Sequence, residues 1–332
     1  MSNRVKDSIR QNLIATEANP DCYLCGKSGE ILYRNRTDYL FGTPGDWSFK
    51  VCRGDECGLV WLDPRPMVSE IGKAYQHYYT HKKSGHVRQT PMATIMRAIL
   101  HSMSIHLLGL RKERKHYKCM YLDQISPGRL LEVGCGNGKR LARMQALGWD
   151  VMGQEVDPVA ASYVSEERGI PVHLGMLQTL DVTERYDAVI LSHVIEHVHD
   201  PLSLLESCYR LLKEDGLLVI LTPNIASHGH RKFGAVWRGL EPPRHLYLFN
   251  RKTLLRLAQK AGFNSLRSWT TSVGAFGMGQ ASVSSVSGAK EGRYLITTRD
   301  VWRGFWFQLV TRIILLFNKD SGEECVLMGT RK

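Results

Sequence analysis

Between residues 120 and 270 two hydrophobic patterns take turns. Short unbroken apolar runs read as buried strands, and longer stretches of mixed polarity between them read as helices. The run 130–133 is the first such strand. Residues 139–147 follow as a helix stopped by Gly148. A second strand is expected over 149–156, where Asp157 is placed to cap the next helix and Pro158 to fill its first position. A third strand is expected at 171–174 and a fourth from Tyr186. Asp200 and Pro201 open a helix over 202–212, with Gly216 as its stop and a fifth strand at 217–222. Asn250 caps a helix over 251–261, and a last strand lies at 325–330. Strand–helix–strand units of this length predict an α/β fold, a parallel sheet with helices on both faces.

The first strand runs into Glu132-Val133-Gly134-Cys135-Gly136-Asn137-Gly138. Glycines there permit a tight turn and close approach of a ligand to the backbone. The free amides of the following helix face the same place. The dinucleotide fingerprint needs a third glycine where this chain has Lys139, and no phosphate-binding P-loop string is present. Glu155 falls 17 residues after Gly138, at the end of the neighbouring strand, where a carboxylate can accept from both hydroxyls of a ribose.

The E-x-G-x-G-x-G string resembles the first motif of class I S-adenosylmethionine (SAM) methyltransferases. Gly153-Gln154-Glu155-Val156-Asp157-Pro158 matches a second motif of that family, and the stretch from Tyr186 to Val198 resembles its fourth strand and the loop after it. The resemblance covers roughly residues 115–270. It implies a Rossmann-like, seven-stranded methyltransferase sheet and SAM as cofactor. It also implies a SAM site made of Glu132, Gly134, Cys135, Gly136, Gly138, Glu155, Val156, Met176, Leu177, Ser192 and His193. Many relatives carry an Asp after the third strand to bind the adenine amine. Here Gly175-Met176-Leu177 stands in that place, so Met176 or Leu177 is expected to pack on the ring.

The chain has 332 residues and is 43% apolar, enough for one large soluble domain and an accessory one. Its start is polar, without the apolar core of a signal peptide. Eight cysteines without such a signal point to a reducing, cytoplasmic setting and to thiols or metal ligands. Cys22-Tyr23-Leu24-Cys25-Gly26 and Cys52-Arg53-Gly54-Asp55-Glu56-Cys57-Gly58 read as two knuckles. Four thiolates from Cys22, Cys25, Cys52 and Cys57 can close a structural zinc site. With Leu59 to Pro66 they resemble the zinc-ribbon front end of sugar methyltransferases from glycan and natural-product pathways. The expected organisation is a zinc-ribbon-like four-cysteine module over 20–66, a helical connector over 67–118 carrying Tyr75, Tyr78 and Tyr79, and a methyltransferase domain over 119–332 with an insertion around 272–322.

Methyl transfer requires the protein to position and deprotonate an acceptor. His197, His193 and His245 are the candidate bases, with His245 and His197 placed first. In quinone-pathway O-methyltransferases a similar loop holds a divalent ion through two Glu and a His. Here His193 takes the first place, and only Glu196 and His197 match. His245 lies in the segment 237–249, where the family commonly builds its acceptor site.

A formal charge of +12 suggests an acidic partner. Trp302, Phe305, Trp306, Leu309, Val310, Ile313, Leu316 and Phe317 recur at helical spacing, and 95–110 is a second apolar stretch. Arg303 and Arg312 interrupt the first, which argues against a full span. Such a helix lies on an anionic bilayer, or packs as a lid or dimer face. The expected function is SAM-dependent methylation of a sugar or related small molecule, nucleotide- or lipid-linked. The alternatives are O-methylation of a quinone or lipid precursor, and RNA modification through the basic surface and the zinc module. Base-methylating amino enzymes commonly show N-P-P-[YF] after the fourth strand; Ser192-His193-Val194-Ile195 here counts against amino methylation of bases, and a nucleic-acid partner is the lesser alternative.

Overall fold

A computed structural model describes residues 14–39, 41–54, 57–75, 87–181, 183, 185–286 and 294–332. Near the N-terminus β1 (Glu30–Arg36), β2 (Trp47–Val51) and β3 (Val60–Leu62) form an antiparallel sheet. Trp47, Phe49 and Val51 of β2 are buried while Ser48 and Lys50 are half-buried, the alternation expected of a one-sided strand. Two helices follow, α1 (Pro91–Leu107) and α2 (Leu110–Lys118). The Thr90 side chain caps α1 by accepting from the Ala93 amide, and Gly109 at φ 63° makes the corner into α2.

The main domain runs through β4 (Arg129–Val133), α3 (Lys139–Ala146), β5 (Asp150–Glu155), α4 (Pro158–Arg168) and β6 (Val172–Leu174). It continues with β7 (Tyr186–Ser192), α5 (Pro201–Leu211), β8 (Leu212–Pro223) and α6 (His228–Phe233). Next come β9 (Tyr247–Leu248), α7 (Arg251–Lys260), β10 (Asn264–Thr271), α8 (Ala275–Val286), α9 (Thr298–Phe317) and β11 (Glu324–Thr330). Among the described residues the main sheet has seven strands in the order β10-β11-β8-β7-β4-β5-β6. β11 runs antiparallel between β8 and β10, while β8, β7, β4, β5 and β6 pair in parallel. The winding reverses between β4 and β7, and the crevice at the carboxyl ends of these strands is where open α/β sheets bind ligands.

The sheet is buried on both faces. Leu131, Val133, Val189, Leu191 and Leu218 pack on one side, and Leu130, Ala188, Ile190, Val219 and Leu221 on the other. The first of these cores runs on without a break into Phe49, Trp61 and Tyr247 of the N-terminal sheet. That sheet takes its fourth strand from the main domain: β9 pairs antiparallel with β3, Tyr247 opposite Trp61 and Leu248 opposite Val60. The region 20–66 is therefore not closed on itself.

One expected boundary moves. Gly216 does not end a helix; α5 stops at Leu211 and β8 begins at Leu212, with Gly216 inside the strand at an irregularity opposite Tyr186 and Ala188. A Cβ at Gly216 would meet the Lys213 and Tyr186 carbonyl oxygens at 2.9 and 3.1 Å, so glycine serves a close backbone approach. Residues 272–322, expected as an insertion, hold α8 and α9. Tyr78 and Tyr79 lie outside the described residues.

Candidate functional site: a glycine cradle beside a histidine pair

The turn after β4 is built by three glycines in the left-handed region: Gly134, Gly136 and Gly138, with φ of 62°, 53° and 65°. Around Gly134 and Gly138 the protein closes in, for a Cβ would meet Val194 at 2.7 Å and Val164 at 2.9 Å respectively. Around Gly136 nothing lies within 4 Å. That open space over a backbone amide ridge is where a ligand can approach.

Glu155, at the end of β5, clamps the turn. Its Oε2 accepts from the Gly136 amide at 2.8 Å, and its Oε1 from the Val156 and Asp157 amides at 2.8 and 3.1 Å. Carboxylate oxygens carry about four acceptor sites, and with these amides bound about one remains for a ribose hydroxyl. Val156, Leu174 and Met176 expose more than half of their apolar side chains at the strand ends beside this turn. Exposed apolar groups next to an amide-lined cradle fit a nucleoside, with the ring against the hydrocarbon. The residues present thus fit SAM. Of the two residues expected against the adenine, Met176 is exposed and Leu177 is buried in the core; Cys135 is also buried.

Two residues of the cradle carried no sequence signal. Gln154 Oε1 accepts from the Gly134 amide at 3.2 Å, and its Nε2 donates to the Gly175 carbonyl at 2.6 Å, tying the turn to the end of β6. Arg140 donates to buried Glu132 at 2.6 Å and to the Ser192 hydroxyl at 2.8 Å, joining the ends of β4 and β7. Burial pushes the Glu132 carboxyl up against the pull of Arg140. Gln and Arg at such places lack a spacing rule that would have marked them.

The loop after β7 carries the second half of the site. His193 sits at φ 56°, its Nε2 2.9 Å from Glu324 and its Nδ1 3.3 Å from Glu196. Burial opposes its charge, but the two carboxylates outweigh it and push the imidazole up to about 10. Glu196 is fully buried and accepts from the Thr222 hydroxyl at 2.9 Å. Burial raises the Glu196 carboxyl, and His193 and the other rings overcome that and bring it to about 2.

His197 and His245 stand with ring centroids 4.6 Å apart. His197 Nδ1 lies 3.0 Å from the Arg244 carbonyl oxygen and 3.0 Å from the Tyr75 hydroxyl. His245 Nδ1 lies 2.8 Å from the Gly239 carbonyl oxygen. A carbonyl oxygen only accepts, so each ring carries a proton on Nδ1. Burial, then the His197 ring, push His245 down to about 4, which keeps it neutral at pH 7. His197 is half-buried, whereas His245 is only 4% exposed. Glu196, His197 and His245 could also offer one donor atom each to a metal, all within 4.8 Å, although the Glu196 carboxylate is already engaged by Thr222 and His193.

The segment behind these rings is fastened by Arg244, which is fully buried. Its guanidinium donates to Asp38 at 2.8 Å, Thr43 at 3.0 Å, the Ala74 carbonyl at 3.1 Å and Glu241 at 3.0 Å, and lies 4.3 Å over the Phe41 ring. The N-terminal region thus reaches the segment that carries His245.

Cys22, Cys25, Cys52 and Cys57 are brought together, with their sulfurs all within 4.8 Å. The Cys22–Cys57 and Cys25–Cys52 sulfur separations are 3.7 and 3.4 Å. A tetrahedral zinc with Zn–S of about 2.3 Å needs sulfurs about 3.8 Å apart. Gly26 and Gly58, at φ 71° and 66°, close the two turns by donating to the Cys22 and Cys52 carbonyls. The four residues fit such an ion.

A family model described as a methyltransferase domain matches residues 110–268. The chain carries a methyltransferase domain. Its sheet order, with the antiparallel β11 between β8 and β10, is of the class I type. Among curated relatives, the ubiquinone biosynthesis O-methyltransferase of Cereibacter sphaeroides (strain ATCC 17025) is 38% identical over 102 residues, 29% of this chain and 41% of that protein. The enzyme of the same name from Ruegeria sp. (strain TM1040) is 33% identical over 149 residues, 41% of this chain and 60% of that protein. The chain thus spans about two to three fifths of the length of these relatives. A SAM-dependent methyltransferase from Archaeoglobus fulgidus superposes with a TM-score of 0.43 at 18% identity, over 70% of this chain and 94% of that one.

Proposed function

We propose that the chain is a SAM-dependent methyltransferase whose acceptor is a small polar molecule of the sugar class, with His197 as the base and a structural zinc ion in the cysteine cluster. The observation that carries this reading is a meeting at one edge of one sheet. There the open glycine turn with its Glu155 clamp lies beside two histidines, each held through Nδ1 by a backbone carbonyl, of which His197 is the more open. SAM, when bound, supplies an electrophilic methyl group. Glu155 and the turn amides hold the nucleoside, and Val156, Leu174 and Met176 cover its base. His197 Nε2 takes the proton from the acceptor, an O–H or a C–H beside a carbonyl. His197 stands ahead of His245 because His245 is closed off from solvent. His245 and the Arg244 carbonyl keep the His197 ring in place and in the right tautomer. The half-buried His197 ring and Tyr75 hydroxyl, 3.0 Å apart, offer polar contacts to a hydroxyl-bearing acceptor. A second reading, O-methylation of a phenolic quinone precursor, is favoured by the names of the relatives, since a phenol also loses its proton to a neutral imidazole.

Calorimetry with SAM and S-adenosylhomocysteine tests the cradle. Gly136→Val forces a branched residue to φ 53° and fills the open space, a strain of about 1–3 kcal/mol before any clash with ligand. Affinity should fall by about tenfold or more; unchanged affinity would show that the ligand does not sit there. Mass spectrometry of incubations with SAM then separates the two acceptor classes: methylated sugar nucleotides support the first reading, and methylated catechols alone support the second.

A further inference from the structure

Helix α1 buries Ala93 and Leu100 against Phe276, Ile296 and Val301, with Met96 and Phe305 packed around them. Its other side leaves Met92, Ile95, Ile99, Met103 and Leu107 exposed. Steps of three and four residues put them on one stripe. The adjoining α9 repeats the arrangement, with Trp302, Trp306, Val310, Ile313 and Phe317 all exposed, Phe317 by 87%. Phe305 links the two, for its ring lies 5.9 and 6.0 Å from those of Trp302 and Trp306 while it packs on the α1 core. Two neighbouring helices each turning a row of large apolar side chains to water are unusual for a protein surface.

The charges around these rows are one-sided. α1, α2 and α9 together carry nine Arg and Lys against two acids, Glu113 and Asp300. Both acids are engaged within the protein: Glu113 by Arg312 at 2.9 Å and by the Thr271 hydroxyl, Asp300 in the cap of α9 with Thr297. Arg111 and Lys112 stand exposed where α1 turns into α2.

We propose that the paired faces of α1 and α9 dock on an anionic lipid bilayer, with the apolar rows entering the headgroup–acyl boundary and the basic residues meeting lipid phosphates. A protein partner would have to supply a matching acidic surface, and a second copy of this chain would bring the same positive face against itself. Trp302 and Trp306 are suited to the boundary, having an apolar ring body and a polar N–H. Among the described residues no single helix is long and apolar enough to cross a membrane, and the α1–α2 pair is bent by 107°, so the contact is in the plane of the surface. α9 is also connected to the methyltransferase site. Gln308 is bonded to Phe276 N–H and the Ser272 carbonyl, and Ser282 of α8 accepts from the Arg238 amide. A bilayer on this face lies one helix away from the acceptor segment.

Co-sedimentation of the full chain with vesicles decides it. Vesicles of phosphatidylcholine mixed with phosphatidylglycerol should pull the protein down, and phosphatidylcholine alone should do so far less. Binding should weaken as salt rises. Trp302→Ala with Trp306→Ala should weaken binding by about tenfold or more, the scale of losing two buried aromatic groups. Arg111→Glu with Lys112→Glu should weaken binding to the mixed vesicles specifically. All four side chains are exposed, so circular dichroism and SAM affinity should match the unaltered protein. No binding to the mixed vesicles, or binding that neither pair of changes moves, overturns the proposal. A concentration-dependent dimer that the tryptophan changes dissolve, with vesicles ignored, overturns it in favour of a second copy.

Discussion

His193 stands just past β7 in a backbone region that non-glycine residues seldom occupy, and two carboxylates from different parts of the chain hold it there. Its folded pKa is raised to about 10 from 6.5, so the folded state keeps a proton that the unfolded chain gives up. The stabilisation is complete below about pH 6.5 and is lost as pH rises through the folded value. Glu196 acts at the other end: its carboxyl is lowered to about 2 from 4.5, so its contribution is present above 4.5 and lost as pH falls toward 2. His193→Asn keeps a residue that tolerates the left-handed region and removes the imidazole. Melting temperatures taken across pH 6–10 should converge: the wild type should lose its advantage over the variant as the solution becomes alkaline. A constant difference over that range would mean that the two carboxylates do not hold a proton on this ring. The sequence marked His193 for the ligand side of the site, and Glu196 was visible beside it. Glu324 was not, because it reaches the ring from 131 residues away and only the antiparallel insertion of β11 brings it there.

At the scale of elements, strands and helices with local stop and start signals were legible. Asp157, Asp200 and Asn250 cap the helices they precede, each side chain accepting from a backbone amide. What local signals could not reveal was pairing. Tyr247-Leu248 is too short to show a period, and it becomes a strand only because Trp61 and Val60 offer it an edge. That pairing fixes the segment that carries His245, since the Leu246 amide donates to the Glu196 carbonyl at 2.8 Å and so anchors the segment to the loop after β7. The two histidines therefore belong to two elements locked together, and substitutions should separate their roles. His197→Ala should lower turnover by about 10²-fold or more, the scale of a lost general base, while SAM binds as before. His245→Ala should cost less and should show itself in the pH profile, because the ring is a support rather than the proton acceptor. Single-turnover assays with saturating SAM would read both. A larger loss from His245 than from His197 would reverse the two assignments.

Taken whole, the molecule joins its cysteine cluster to the segment that carries Arg244 and His245 through shared core and one buried arginine. Sequence reading separated a module over 20–66 from the catalytic domain, and from that view loss of the metal should leave the domain intact. The structure gives a different expectation. Arg244 and Asp38 form a salt bridge with neither side chain more than 1% exposed, spanning 206 residues of chain. Breaking such a pair from one side leaves a buried charge uncompensated and costs about 3–5 kcal/mol. Arg244→Met should therefore lower the melting temperature of the whole protein, not of one part. Metal removal should travel the same way. Zinc analysis of the purified chain should give about one ion per molecule, from the four-thiolate stoichiometry. Cys22→Ser or a strong chelator should then loosen β3, lose the edge on which β9 pairs, and free the segment that carries Arg244 and His245. Hydrogen exchange should rise in 237–249 as well as in 20–66, and acceptor turnover should fall. SAM affinity should hold, because Glu155, Gln154 and the glycine turn are bonded to one another within the main sheet. Faster exchange confined to 20–66 would mean that the two regions are independent after all. A metal-free preparation with native exchange throughout would remove zinc from the account.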